Sequence, residues 1–153
     1  MLSKNTRTIF LLAAFCMAPF AMQAEETLIR REWKIGDATR EALIHVPAKA
    51  KKKVAPVIFV FHGHGGTMRH SARTFDFHTL WPEAIVVYMQ GLNTPGRLSD
   101  PEGKKPGWQH SLGAQEDRDL KFFDAALASL KKDHKVDPKR IYATGHSNGG
   151  VFT

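Results

Sequence analysis

"IYATGHSNGGVFT", residues 141–153, is the stretch on which the fold turns. Ile141, Tyr142 and Ala143 form a short apolar run that ends at Gly145, and Gly149 and Gly150 follow a single serine, Ser147. Gly-x-Ser-x-Gly directly after such a run is the pattern of a sharp strand-to-helix turn that presents a serine at its apex. The apex residue is held in a strained conformation. Residues two before and two after it crowd the turn, so Gly145 and Gly149 stand where a side chain would clash. The Ser147 hydroxyl is then expected above the carboxyl end of a sheet, facing the free N–H groups and positive dipole end of the helix that begins near Asn148. A glycine-rich turn with an idle serine shares the pattern; the apolar strand before it and the small residues after it favour the nucleophile.

The segments upstream have the matching architecture. "VAPVIFVFHGHGG" contains a near-continuous apolar run from Val57 to Phe61, and "AIVVYMQG", 84–91, contains a second. Runs apolar on both faces fit parallel strands covered by helices on each side. "TLIRREWKI", 27–35, and "REALIHV", 40–46, read as two earlier strands, with Gly36-Asp37 as the turn between them. Residues 67–77 are expected to form a short helix. In 116–132, Leu120, Phe123, Leu127 and Leu130 recur at helical spacing, widened by Phe122 and Ala126. Asp117 and Asp119 near the start of that helix, and Lys131 and Lys132 near its end, have the signs that suit the helix dipole, and the two aspartates read as capping. "VDPKR" reads as a turn, and residues 141–145 as a third buried strand. Residues 92–114 hold three prolines and four glycines and read as a long loop. Alternating strands and helices predict an α/β fold with a mostly parallel sheet and helices on both faces.

The chain has 153 residues, 42% hydrophobic and 24% charged, an ordinary composition for one globular domain. Residues 1–24 have the layout of a secretory signal peptide: Lys4 and Arg7, an apolar run over 9–21, then small residues ending at Ala24. The run is short of the roughly 20 residues of a membrane span. Cleavage after Ala24 leaves a mature domain of 25–153 without Cys16, the only cysteine, and hence without a disulfide or thiol nucleophile. It also lowers the formal net charge from +7 to +5. The remaining basic pairs, such as Arg30-Arg31 and Lys131-Lys132, are scattered and form no stripe with interleaved aromatics, so nucleic acid is not an expected partner. Stable membrane association is not expected after cleavage.

"FVFHGHGGT", 59–67, also follows an apolar strand. Acyl transfer needs two backbone donors aimed at the oxyanion of its tetrahedral intermediate. The Asn148 N–H is one candidate, and the His64 N–H, or Gly65 in a register one residue later, is the other. A phosphate loop would end in Gly-Lys-Ser or Gly-Lys-Thr, which this segment lacks. His62, His64 and His146 invite a metal reading, but no His-Glu-x-x-His helix accompanies them, and neither metal nor cofactor is expected.

"HGHGG" at 62–66, "VVYMQGL" at 86–92, "GW" at 107–108 and "EDRDLKFFDAALASLKKDHKVDPKRIYATGHSNGG" at 116–150 together resemble the secreted α/β-hydrolases of the polyhydroxybutyrate depolymerase-like and feruloyl or acetyl-xylan esterase-like group. The resemblance covers roughly residues 40–153. It implies Ser147 as nucleophile, the His64 and Asn148 N–H groups as oxyanion donors, Gly63, Gly65, Gly145 and Gly149 as loop and elbow glycines, Gln90 and Trp108 at the substrate rim, an ester substrate and no cofactor. In this fold the order along the chain is Ser, then Asp or Glu, then His. Six residues follow Ser147, none acidic and none histidine. The chain is therefore expected to be the N-terminal part of a hydrolase, with acid and base further on, inactive and insoluble or partly folded by itself. A non-catalytic carbohydrate-binding protein on a hydrolase scaffold and a serine peptidase of the same fold are the alternatives.

Overall fold

A computed structural model describes residues 28–153 of the chain. The expected leader, its cleavage point after Ala24 and Cys16 lie outside the described residues.

Strands β1 (Ile29–Ile35), β2 (Ala38–His45), β3 (Ala55–Phe61), β4 (Ile85–Met89) and β7 (Val136–Gly145) form one sheet in the order β1-β2-β4-β3-β7. The pairs β1–β2 and β2–β4 are antiparallel, while β3 pairs in parallel with both β4 and β7. A ribbon of two short strands, β5 (Leu92–Asn93) and β6 (Pro106–Gly107), lies in the long loop. Helix α1 (Met68–Phe75), capped by the Thr67 hydroxyl accepting the His70 N–H at 3.1 Å, is followed by the single turn α2 (Phe77–Leu80). Helices α3 (Arg118–Asp133) and α4 (Asn148–Phe152) bracket β7 in the chain.

Both faces of the central strands are covered, which explains their unbroken apolar runs. Val57, Phe59 and Phe61 of β3 and Ile85, Val87 and Met89 of β4 pack with α3, while Ile58, Val60, Val86 and Tyr88 pack with α1. The alternation is the period of two that a strand imposes on its side chains. On α3 the fully buried positions are Asp119, Phe122, Ala126 and Leu130, with Phe123 and Leu127 flanking. The apolar stripe is therefore centred on Phe122 instead of Phe123.

Two expectations are corrected. Residues 141–145, read as a third buried strand, are instead the exposed apolar edge also expected of the last strand in this chain: among the described residues β7 pairs only with β3, and Tyr142 is 44% exposed. The "VDPKR" turn is a wide bulge inside β7, since Ala55 faces Val136 and Val57 faces Ile141. Asp137 closes that bulge, accepting the Lys139 N–H at 3.0 Å and pairing with Arg140.

Because β3 and β7 are adjacent and parallel, their carboxyl ends place the segments 62–66 and 145–148 side by side. The chain leaves β3 toward β4 on one side and later returns from α3 to β7 on the other. Ligand crevices of open α/β sheets lie at such reversals.

Candidate active site

Ser147 sits at the junction of β7 and α4 with φ 52° and ψ −118°. A positive φ is costly for a residue with a Cβ and persists only where its surroundings enforce it. Here the enforcement is steric. A methyl group built on Gly145 would lie 2.4 Å from the Gly149 carbonyl, and one on Gly149 would lie 2.3 Å from the Phe61 carbonyl. The turn can close against the end of β3 only with glycine at both positions. Ser147 itself is exposed. It opens on a cavity of about 500 Å³ lined by His64, Arg97, Leu98, His110, Asn148 and Val151.

Facing it is the segment after β3. The Gly65 N–H donates to the Pro106 carbonyl at 2.7 Å, so the alternative register, with Gly65 as the free donor, is excluded in this structure. Among the described residues no acceptor takes the His64 N–H or the Asn148 N–H. Gly63 lies against Ser147, 3.5 Å from the serine Cβ to a methyl built on the glycine, and 2.9 Å from His146 Nδ1 by the same construction. Gly65 has φ 75°, which a side chain would resist.

His62 lies beneath this segment, 1% exposed. Its Nε2 accepts the Gly91 N–H at 2.9 Å and the Gln90 amide at 3.2 Å, and its Nδ1–H donates to the Gly63 carbonyl at 2.8 Å. Two donors on Nε2 require the neutral tautomer protonated at Nδ1. Burial pushes its pKa below the usual histidine value, which favours the same neutral form.

Neither residue expected at the substrate rim is there. Trp108 is 0% exposed: its indole N–H donates to the His62 carbonyl at 2.8 Å, and its ring packs against Phe61 and Phe152 at 5.1 and 5.5 Å. It holds α4 to the end of β3 from below. The Gln90 side chain turns inward, where Oε1 accepts the Met68 N–H at 3.0 Å and the amide meets His62. Asp117 stands at the N-cap position of α3 and Asp119 in its first turn, but neither carboxylate makes the capping hydrogen bond. Asp119, 0% exposed, pairs with Arg40 at 2.8 Å and accepts the Gln109 N–H at 2.8 Å, while Asp117 accepts the Gly113 N–H and the Gln109 amide. Arg97, Leu98, Asp100 and His110, which bound or brace the cavity, were not singled out from sequence. Nothing in a proline- and glycine-rich loop marks which of its side chains turn toward a site.

No protein-family model matches the chain. It is 29% identical over 136 residues to a protein named as an esterase, NocK, from Nocardia uniformis subsp. tsuyamanensis, a match covering 84% of this chain and 37% of that protein. It is 30% identical over 116 residues to a protein named as feruloyl esterase C from Aspergillus clavatus, covering 72% of this chain and 38% of that protein. The chain thus spans less than two fifths of the length of these curated relatives. Among solved structures, the ferulic acid esterase AmCE1/Fae1A of Anaeromyces mucronatus superposes with a TM-score of 0.53 at 13% identity, over 80% of this chain and 49% of that one. The described residues have the α/β-hydrolase fold, and the chain is similar in sequence to esterases.

Proposed function

We propose that Ser147 is the nucleophile of a secreted carboxylic-ester hydrolase that works through an acyl-enzyme. The observation that carries this is the backbone of Ser147, at φ 52° and ψ −118° between two glycines that admit no Cβ, with its hydroxyl side open to a cavity. Strain of this kind is kept where it places a reacting group. In the reaction, Ser147 Oγ attacks the ester carbonyl and its proton passes to a histidine base, which in this fold follows the nucleophile in the chain. The carbonyl oxygen becomes an oxyanion and takes hydrogen bonds from the His64 and Asn148 N–H groups. Each such donor contributes about 2.7–4 kcal/mol to the transition state. The intermediate collapses, the alcohol leaves with the proton returned by the base, and water repeats the sequence on the acyl-serine to release the acid.

The substrate class is an ester linked to plant polysaccharide, a polyester or a small aryl ester. Similarity to a protein named as a feruloyl esterase supports an aromatic acyl group. Secretion is supported by the layout of residues 1–24 and needs no disulfide in the domain.

The test uses the full-length protein. A fluorophosphonate probe should label it, with the adduct mapped to Ser147, and Ser147→Ala should abolish both labelling and hydrolysis of methyl ferulate or 4-nitrophenyl butyrate. Labelling that survives in Ser147→Ala would sink the assignment.

A further inference from the structure

The two residues proposed to supply backbone donors are each gripped through their own side chains, and one ribbon does the gripping. Asn148 is 8% exposed; its side-chain oxygen accepts the Trp108 N–H at 2.7 Å and its amide donates to the Trp108 carbonyl at 3.1 Å. One short stretch of main chain, just past β6, therefore holds both ends of the Asn148 amide.

The grip on His64 comes from the same loop. Its Nε2 lies 3.0 Å from Asp100 Oδ2, and since a carboxylate only accepts, Nε2 carries the proton and donates. The imidazole packs against Gly96 and Gly107 with no room for a side chain at either. A methyl built on Gly96 would sit 3.0 Å from Nε2, and one on Gly107 2.7 Å from Nδ1. The main chain next to His64 is tied to the ribbon as well, through the Gly65 N–H on the Pro106 carbonyl.

Asp100 is the centre of this loop. Its carboxylate accepts the Lys104 N–H at 2.9 Å and the Lys105 N–H at 2.8 Å as well as the His64 ring. Its carbonyl accepts the Gly96 and Gly103 N–H groups, each at 3.0 Å. The Asp100–His64 contact is largely shielded, the two side chains being 8% and 14% exposed. Those bonds, the Lys104 N–H first, hold the Asp100 carboxyl below the usual carboxylate range.

We propose that Asp100 is a positioning residue: by fixing the His64 ring against the β5–β6 ribbon, it sets the His64 N–H in register with the Asn148 N–H, so that both donors converge on one oxyanion. The ribbon acts as a common ruler for two segments, after β3 and after β7, that the chain keeps more than 80 residues apart. Misplacing an oriented group by about 1 Å can cost up to about a hundredfold in rate, so a fixed register has a measurable value. The proposal rests on Ser147 as nucleophile, and the experiment separates the two.

In the full-length protein, fluorophosphonate labelling of the wild type at Ser147 comes first; no labelling there overturns the Ser147 assignment before any loop variant is made. The loop variants are Asp100→Ala, Asp100→Asn and His64→Leu, the last of which keeps the His64 backbone N–H and all the bonds Asp100 makes within its own loop. Far-ultraviolet circular dichroism and a thermal melt establish that each is folded. Asp100→Ala and His64→Leu should lower kcat on methyl ferulate by about ten- to a hundredfold, with KM within about twofold. Affinity for phenylboronic acid, whose serine adduct has the shape and charge of the intermediate, should fall in parallel. Asp100→Asn, which retains an acceptor for the ring, should recover most of kcat. A wild-type kcat in His64→Leu, a change in KM alone, or an Asp100→Asn no better than Asp100→Ala overturns the proposal.

Discussion

At the scale of single residues, the site is built by side chains that are absent or neutral. Gly145 and Gly149 leave the space into which Ser147 is forced, and the need for both was legible in the spacing alone because the clash is local. His62 was legible only as a histidine. Its role emerges from two donors meeting Nε2 and a carbonyl meeting Nδ1, a pattern that a second ring proton would break. The consequence is a pH dependence of stability. Burial lowers the folded-state pKa below the unfolded value near 6.5, so below that pH the unfolded chain binds more protons than the native one. Stability from this group is present above about pH 6.5 and is lost as pH falls, by up to about 1.4 kcal/mol per pH unit until the folded pKa is reached. Urea unfolding of wild type and His62→Gln between pH 7.5 and pH 5 measures it. The variant should be weaker at pH 7.5 but lose less on acidification, and parallel slopes would refute the assignment.

At the scale of elements, the buried Arg40–Asp119 pair ties the sheet to α3 and to the loop under the site. Arg40 is 1% exposed. It also donates to the Arg118 and Gln90 carbonyls, at 3.1 and 3.3 Å, and its guanidinium lies 4.5 Å above the Phe122 ring. Asp119→Ala leaves that cation buried without its anion and should cost about 3–5 kcal/mol in urea unfolding. Replacing both partners, Arg40→Met with Asp119→Leu, should cost far less than the sum of the two single changes. Additivity within about 0.5 kcal/mol would mean that the pair is not coupled. Sequence reading placed Asp119 at the helix start, with the correct sign for a cap. It could not find Arg40, which lies 79 positions away with nothing local to mark it. The same limit applies to Trp108, which the family resemblance put at the rim and which is instead the buried ring under α4.

At the scale of the molecule, the two edges of the sheet differ. β1 carries Arg30, Arg31, Glu32 and Lys34, charges that discourage pairing with another chain. The last five residues of β7, Ile141 to Gly145, carry none, and Tyr142 is exposed beside Trp81 at 5.8 Å between ring centroids. The 153-residue chain by itself is therefore expected to self-associate through β7. Sedimentation velocity at rising concentration should show a growing heavier species, reduced in Tyr142→Lys; a monomer at every concentration that melts in one cooperative step would contradict this.

What the sequence by itself determined is everything encoded between near neighbours. The unbroken apolar runs of β3 and β4 announced strands covered on both faces, the period of α3 announced a helix with one apolar side, although its centre fell on Phe122 and not Phe123, and two glycines around Ser147 announced the turn. What only the tertiary structure decided are the partnerships between residues far apart in the chain. Gly65 is taken by Pro106 while the His64 N–H has no acceptor among the described residues, Asp119 answers Arg40 instead of capping a helix, and Asp100 reaches His64 across a 36-residue separation. Sterics and hydrophobic periodicity act over a few residues and leave a written pattern. A hydrogen bond between distant segments exists only once the sheet has brought their ends together.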